Sequence, residues 1–137
     1  MKKIILISCV SKKLNINCTA EKMYISPLFK MNLKYAKQMN PDKIFVLSAK
    51  YGLLELNDEI EPYNETLNDK KKAEIEIWAN NVFNKLKEKT NINETNFIFL
   101  AGMKYRKYLI PNIKHYEIPM LGLTIGRQLK FLKEHII

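Results

Sequence analysis

The sequence predicts an α/β protein, a three-layer α/β/α sandwich around a four-stranded parallel sheet. Three observations carry this expectation. Lys3–Ser8, Lys43–Ser48 and Asn96–Leu100 are apolar almost throughout instead of alternating, the mark of strands covered on both faces. Stretches with apolar residues at helical spacing separate them. A length of 137 residues suits one domain, 1–137, and 47% hydrophobic against 27% charged residues is enough to build a core.

The elements follow in order. Lys3–Ser8 is rich in β-branched residues and reads as the first strand. Ser26 then suits an N-cap and Pro27 the first turn of a helix. Leu28, Met31, Tyr35, Ala36 and Met39 would be its apolar face, ending before Asn40-Pro41. Lys43–Ser48 is the second strand. Ala49–Asn68, about twenty residues, reads as irregular, and a loop of that length in a compact domain usually serves function. From Asp69 to about Lys89, the residues Ile75, Trp78, Ala79, Val82, Phe83 and Leu86 form the stripe of a long helix. Asn96–Leu100 is the third strand. A short helix is expected from Gly102 to Leu109, a weaker fourth strand at His115–Pro119, and a last helix from about Thr124 burying Leu129, Leu132 and Ile136. Alternation of this kind implies right-handed crossovers. Ligands of open α/β sheets bind beyond the carboxyl ends of the strands, so chemistry is expected after Ser8, Ser48, Leu100 and Pro119.

Lys and Arg number 23 against 14 Asp and Glu, a formal charge of +9 that favours polyanions. Codon composition is the competing source. Of the cations 21 are Lys, beside 17 Ile and 14 Asn, which makes Arg106 and Arg127 the more informative pair. Cys9 and Cys18 do not make a disulfide framework, and Cys9 reads as a small buried hydrophobe. The apolar run Ile4–Ile7 is too short for a signal peptide, and no run approaches a membrane span. A cytoplasmic protein with no membrane partner is expected. His115 and His135 stand at no metal-ligand spacing with the cysteines, so neither a metal nor a cofactor is expected.

Four strand ends carry candidate chemistry. Ser8, Cys9, Ser11, Lys12 and Lys13 follow the first strand; hydroxyls, backbone amides and ammonium groups there suit an anion cradle, though equally a solvated turn. The segment has no glycine and is not a Walker loop. After Ser48, Lys50 and Tyr51 pair a phosphate contact with a stacking ring, and Gly52 permits a tight turn. Glu55, Asp58, Glu59 and Glu61 are either solvated or a source of acid/base chemistry. Glu61 is the catalytic candidate, because Pro62 holds its backbone extended and Tyr63 would stack on a base and shield the carboxylate. Ala101-Gly102 precedes Lys104, Tyr105, Arg106 and Lys107. Gly126 and Arg127 open the final helix, for a ligand or for helix packing and a surface ion pair.

Together these motifs resemble a family of small, uncharacterised bacterial and phage proteins. Its members carry a Cys-Ser-Lys-Lys-like loop, a Ser-Ala-Lys-Tyr-Gly-Leu segment, a Pro-Tyr-Asp/Asn-x-Thr-Leu segment and a Gly-Leu-x-Ile-Gly-x-Gln-Leu helix. Here these read Ser8–Lys13, Ser48–Leu53, Pro62–Leu67 and Gly122–Leu129. The family is loosely similar to the peroxide-stress YaaA family and to a small domain of archaeal tRNA base-exchange enzymes. The resemblance implies the uracil-DNA glycosylase-like fold, with parallel strands in the order 2-1-3-4. True uracil-DNA glycosylases have Gly-Gln-Asp-Pro-Tyr after the first strand and a later His-Pro-Ser. Here no carboxylate follows the first strand until Glu21, and no His-Pro occurs.

The expected function is therefore an N-glycosidase-like hydrolase acting on a modified nucleobase in nucleic acid or nucleotide. The alternative is a non-catalytic nucleic-acid- or nucleotide-binding module using the same pocket. In both, Ser8, Cys9, Ser11, Lys12, Lys13, Ser48, Lys50, Tyr51, Gly52, Tyr63, Gly126 and Arg127 hold phosphate or nucleotide. In the first, Glu61 positions the water.

Overall fold

The computed structural model describes residues 1–137. In it β1 (Lys2–Ser8) leads through a short β2 (Cys18–Thr19) and α1 (Ala20–Met23) to α2 (Pro27–Gln38) and β3 (Lys43–Ser48). β4 (Gly52–Glu55) and β5 (Glu59–Ile60) precede α3 (Lys72–Lys89). β6 (Thr95–Leu100), α4 (Met103–Arg106), β7 (His115–Glu117) and α5 (Ile125–His135) complete the chain.

The main sheet has five strands in the order β4-β3-β1-β6-β7, not the four expected. β1, β3, β6 and β7 are parallel, and β4 adds an antiparallel edge by folding back on β3, with Gly52 opposite Ser48. Gly52 has a φ of +74°, a left-handed conformation that any side chain would strain. The stretch expected to be irregular, Ala49–Asn68, thus holds a sheet strand and a second one, β5, which pairs with β2. The fourth parallel strand stops at Glu117. The helix expected from Gly102 is one turn of α-helix, continued after a turn by a 3-10 turn at Ile110–Asn112.

β1 lies between β3 and β6, and all four of Ile4–Ile7 are buried, as a central strand covered on both faces requires. Phe45, Phe97 and Phe99 fill the space beside them. Truncating a fully buried aromatic of this kind to Ala typically costs about 3–5 kcal/mol. The crossovers β1–α2–β3 and β3–α3–β6 run in opposite directions across the sheet, so right-handed connections put α2 and α3 on opposite faces. α2 packs on α5, where Tyr35 meets Phe131 edge-to-face at 5.8 Å. α3 packs on β4, with Trp78 Nε1 donating to the Ser48 carbonyl at 2.8 Å. No helix is long and apolar enough to cross a membrane.

Two expectations shift here. The deepest face of α2 is Phe29, Asn32 and Ala36, and the expected residues Leu28, Met31, Tyr35 and Met39 are only half-buried. Glu55, grouped among the loop acids, is an edge-strand residue that pairs with Lys43 and Lys89. Hydrogen bonds from Lys43 first, and then Lys89, hold its carboxyl below the usual range. The small stability this partly exposed pair gives is lost as pH falls through that lowered value.

Candidate functional site

Opposite crossovers make the chain leave β1 and β6 toward different faces, which opens a crevice between their carboxyl ends. A cleft of about 640 Å³ lies there, within the range of small-molecule sites. Its base is Ser8 and Cys9 from the end of β1 and Leu100–Gly102 from the end of β6. Gly102 N–H donates to Ser8 Oγ at 3.2 Å, tying the two strand ends together. On the α2–α5 side stand Ser26, Pro27, Leu28 and Asn32, with Ile125, Gln128 and Leu129. On the other stand Asn64–Thr66, Asn68 and Met103–Tyr105.

The loop after β1 enters the cleft because its backbone is fixed on both sides of Lys13. Ile25 N–H donates to Lys12 O at 3.0 Å, and Leu14 N–H to Met23 O at 2.9 Å. The Lys13 ammonium lies 4.4 Å from the centre of the Tyr63 ring and 3.4 Å from Ser11 O. Partial burial pulls its pKa below the ordinary 10.5, and the neighbouring Cys9 acts the other way. The Cys9 thiol donates to Tyr105 Oη at 3.4 Å, and Tyr105 Oη also accepts from Leu67 N–H at 3.3 Å. Trp78 meets the Tyr105 ring edge-on at 5.6 Å, so the far wall is anchored to α3. Burial pushes the Tyr105 phenol above its ordinary value, so it is neutral near pH 7.

The electrostatics favour an anion. Ser26 caps α2 by accepting from Phe29 N–H, and Thr124 caps α5 by accepting from Arg127 N–H. Leu28 and Ile125, in the first turns, keep amides with no intrahelical acceptor. Two helices of 12 and 11 residues thus turn their positive ends toward one cleft. Lys13 and Lys104 line it as well, against a single carboxylate, Glu65, which is itself 3.5 Å from Lys70.

Of the residues singled out from sequence, the structure brings Ser8, Cys9, Ser11 and Lys13 together in this cleft with Ala101, Gly102, Lys104 and Tyr105. Lys12 points to solvent beside it. Gly126 and Arg127 are exposed in the first turn of α5, next to the lining Ile125 and Gln128. The others lie elsewhere. Ser48 and Tyr63 are buried, with Ser48 Oγ donating to Tyr63 Oη at 2.7 Å and Tyr63 sharing a 2.6 Å hydrogen bond with Tyr24. Tyr63 therefore underlies Lys13 and is not an open stacking surface. Lys50, Tyr51 and Gly52 line a separate hollow of about 290 Å³ with Trp78. Glu61 is exposed outside the cleft, its backbone N–H donating to Tyr51 Oη at 3.2 Å.

Sequence reasoning missed Asn32, Asn64, Glu65 and Gln128. Asn64 and Glu65 lie inside the quoted Pro62–Leu67 segment, and Asn32 stands three residues after Phe29 and four before Ala36, which marks it as an inward polar residue. No group of three His, Cys, Asp or Glu side chains is placed to hold a metal ion.

A built Cβ at Gly126 meets nothing within 4 Å, so neither a neighbouring backbone nor packing calls for glycine there. Gly126→Ala is expected to raise stability by about 0.5–1 kcal/mol. A urea midpoint that moves down instead would show that α5 needs glycine at this position.

No curated protein matches the sequence. A family model described as a family of unknown function (DUF6884) matches residues 4–134, from the third residue of the central strand to the last turn of α5. The match includes every residue that lines the cleft, and the chain belongs to that family.

Proposed function

We propose that the cleft at the ends of β1 and β6 binds a phosphate-bearing nucleotide, free or within a nucleic-acid strand. The observation that carries this reading is the convergence of the α2 and α5 amino termini with Lys13 and Lys104 on one cleft. Amides and ammonium groups suit the phosphate, and the amide side chains of Asn32, Asn64 and Gln128 suit a base edge. The formal charge of +9 adds attraction for a polyanion. The parallel strand order β3-β1-β6-β7, with a cleft where the chain reverses direction, supports the finer reading of a uracil-DNA glycosylase-like sandwich. Free Cys9 and Cys18 suit the reducing cytoplasm.

A second reading, N-glycosidic hydrolysis, is favoured by one observation: Glu65 is a carboxylate in the cleft wall. In that reaction water bonds to C1′ of the sugar, Glu65 takes the water's proton, and the C1′–N bond breaks. The base leaves with the bonding pair and takes a proton from solvent.

The test of the first reading is calorimetric titration with the four nucleoside monophosphates and their nucleosides at low salt. The monophosphates should bind at least about tenfold tighter, the worth of one charge-assisted contact. Equal affinities, or no binding by any monophosphate, would contradict it.

A further inference from the structure

One polar group in the cleft wall has no partner. Asn32 is 4% exposed, and its Oδ1 is enclosed without a hydrogen bond. Buried side-chain polar atoms are nearly always paired, because leaving one unpaired forfeits its hydration for nothing. Leucine fits a helix at this position without that penalty, so the folded chain is carrying a destabilising group on the inward face of α2. An unpaired acceptor on a residue that lines the cleft is accounted for when a ligand there supplies the donor as the carboxamide turns toward it.

The placement narrows the ligand. Asn32 stands one helical turn beyond Leu28, about 6 Å along the axis of α2 from the amide end that suits a phosphate. That rise is comparable to the span from a 5′-phosphate to its base. Met103 and Ile125, each 65% exposed, line the two sides of the same cleft and offer apolar surface to a flat ring. A carboxamide presents an acceptor beside a donor, the pair that matches a nucleobase edge.

We propose that Asn32 is the base-reading residue of the cleft, accepting a base N–H at Oδ1 while the phosphate lies against the first turns of α2 and α5. The proposal rests on the nucleotide reading above and adds the group that selects the base.

Asn32→Leu and Asn32→Asp test it, by calorimetry with ribose 5-phosphate and the four nucleoside monophosphates and by thermal melting without ligand. The leucine variant should keep wild-type affinity for ribose 5-phosphate, lose at least about tenfold in affinity for the preferred monophosphate, and melt several degrees higher. A purely structural asparagine would not give a loss of base affinity together with a gain in stability. The aspartate variant accepts only, so its preference should move toward guanine, whose N1–H and N2–H₂ are adjacent donors. Should the aspartate variant not fold, the leucine variant decides alone. Unchanged affinity of Asn32→Leu for all four monophosphates would overturn the assignment and leave the nucleotide reading intact. Failure of the wild-type protein to bind either ribose 5-phosphate or any monophosphate would overturn both.

Discussion

Replacing Glu65 by Gln is expected to lower the release of free base from the true substrate by about 10²–10⁴-fold, the usual loss when a positioned general base is removed. Nucleotide affinity should stay within about threefold, since Gln keeps the size and polarity of the side chain. The backbone on the C-terminal side of Glu65 is held firmly. Thr66 Oγ1 accepts from Asn68 N–H at 3.2 Å, and Leu67 N–H is held by Tyr105. The side chain itself is 46% exposed, so water reaches it. Glu61→Gln is the matched control, because that exposed residue lies outside the cleft and should release base at the wild-type rate. Chromatography of the products distinguishes the two variants. Loss of activity in Glu61→Gln with none in Glu65→Gln would reverse the assignment. Absence of base release by the wild-type protein would remove the hydrolytic reading and leave the binding one.

Lys13→Met should weaken nucleoside monophosphates by about 10–100-fold, because a charge-assisted hydrogen bond contributes about 1.5–3 kcal/mol. The same residue sets a pH signature. Its pKa is lowered by burial, so the ammonium form is the one that folding penalises. The cost to the free protein is present at low pH and is relieved as pH rises through the lowered value toward the ordinary 10.5. Phosphate affinity runs the other way, since it needs the ammonium. From about pH 7 upward, where a phosphate monoester is already mostly a dianion, wild-type affinity should fall as Lys13 loses its proton. Lys13→Arg keeps its charge throughout and should flatten that limb. Titrations at about pH 7 and pH 10 on all three proteins would show it. Equal affinity of wild type and Lys13→Met would mean that the ammonium does not touch the ligand.

The central strands were legible in the sequence because Ile4–Ile7 and Phe97–Leu100 are apolar without interruption, which only burial on both faces tolerates. β4 was not. Gly52-Leu53-Leu54-Glu55 is too short to announce a strand, and its pairing comes from folding back on β3. The cleft was half legible for a related reason. Ser8–Lys13 follows a recognisable strand, and strand ends are where ligands bind. Lys50 and Tyr51 also follow a strand, but β3 lies on the side of β1 away from β6, and its chain turns straight into a hairpin. Asn32, Glu65 and Gln128 come from three segments that meet only when α2 and α5 pack together and the segment before α3 crosses to the end of β6. No local pattern records that meeting. Tyr63 looked like a stacking residue because its partners, Tyr24 and Ser48, are 39 and 15 residues away.

The most direct test of the proposal that the cleft binds a nucleotide is a map of backbone amide shifts by nuclear magnetic resonance during titration with a nucleoside monophosphate. The largest saturable shifts are expected at Cys9, Leu28, Gly102 and Ile125, from four segments that share only the cleft, with Lys50 and Tyr51 unmoved. Shifts centred on Lys50 and Tyr51, or spread evenly over the surface lysines without saturation, would contradict it.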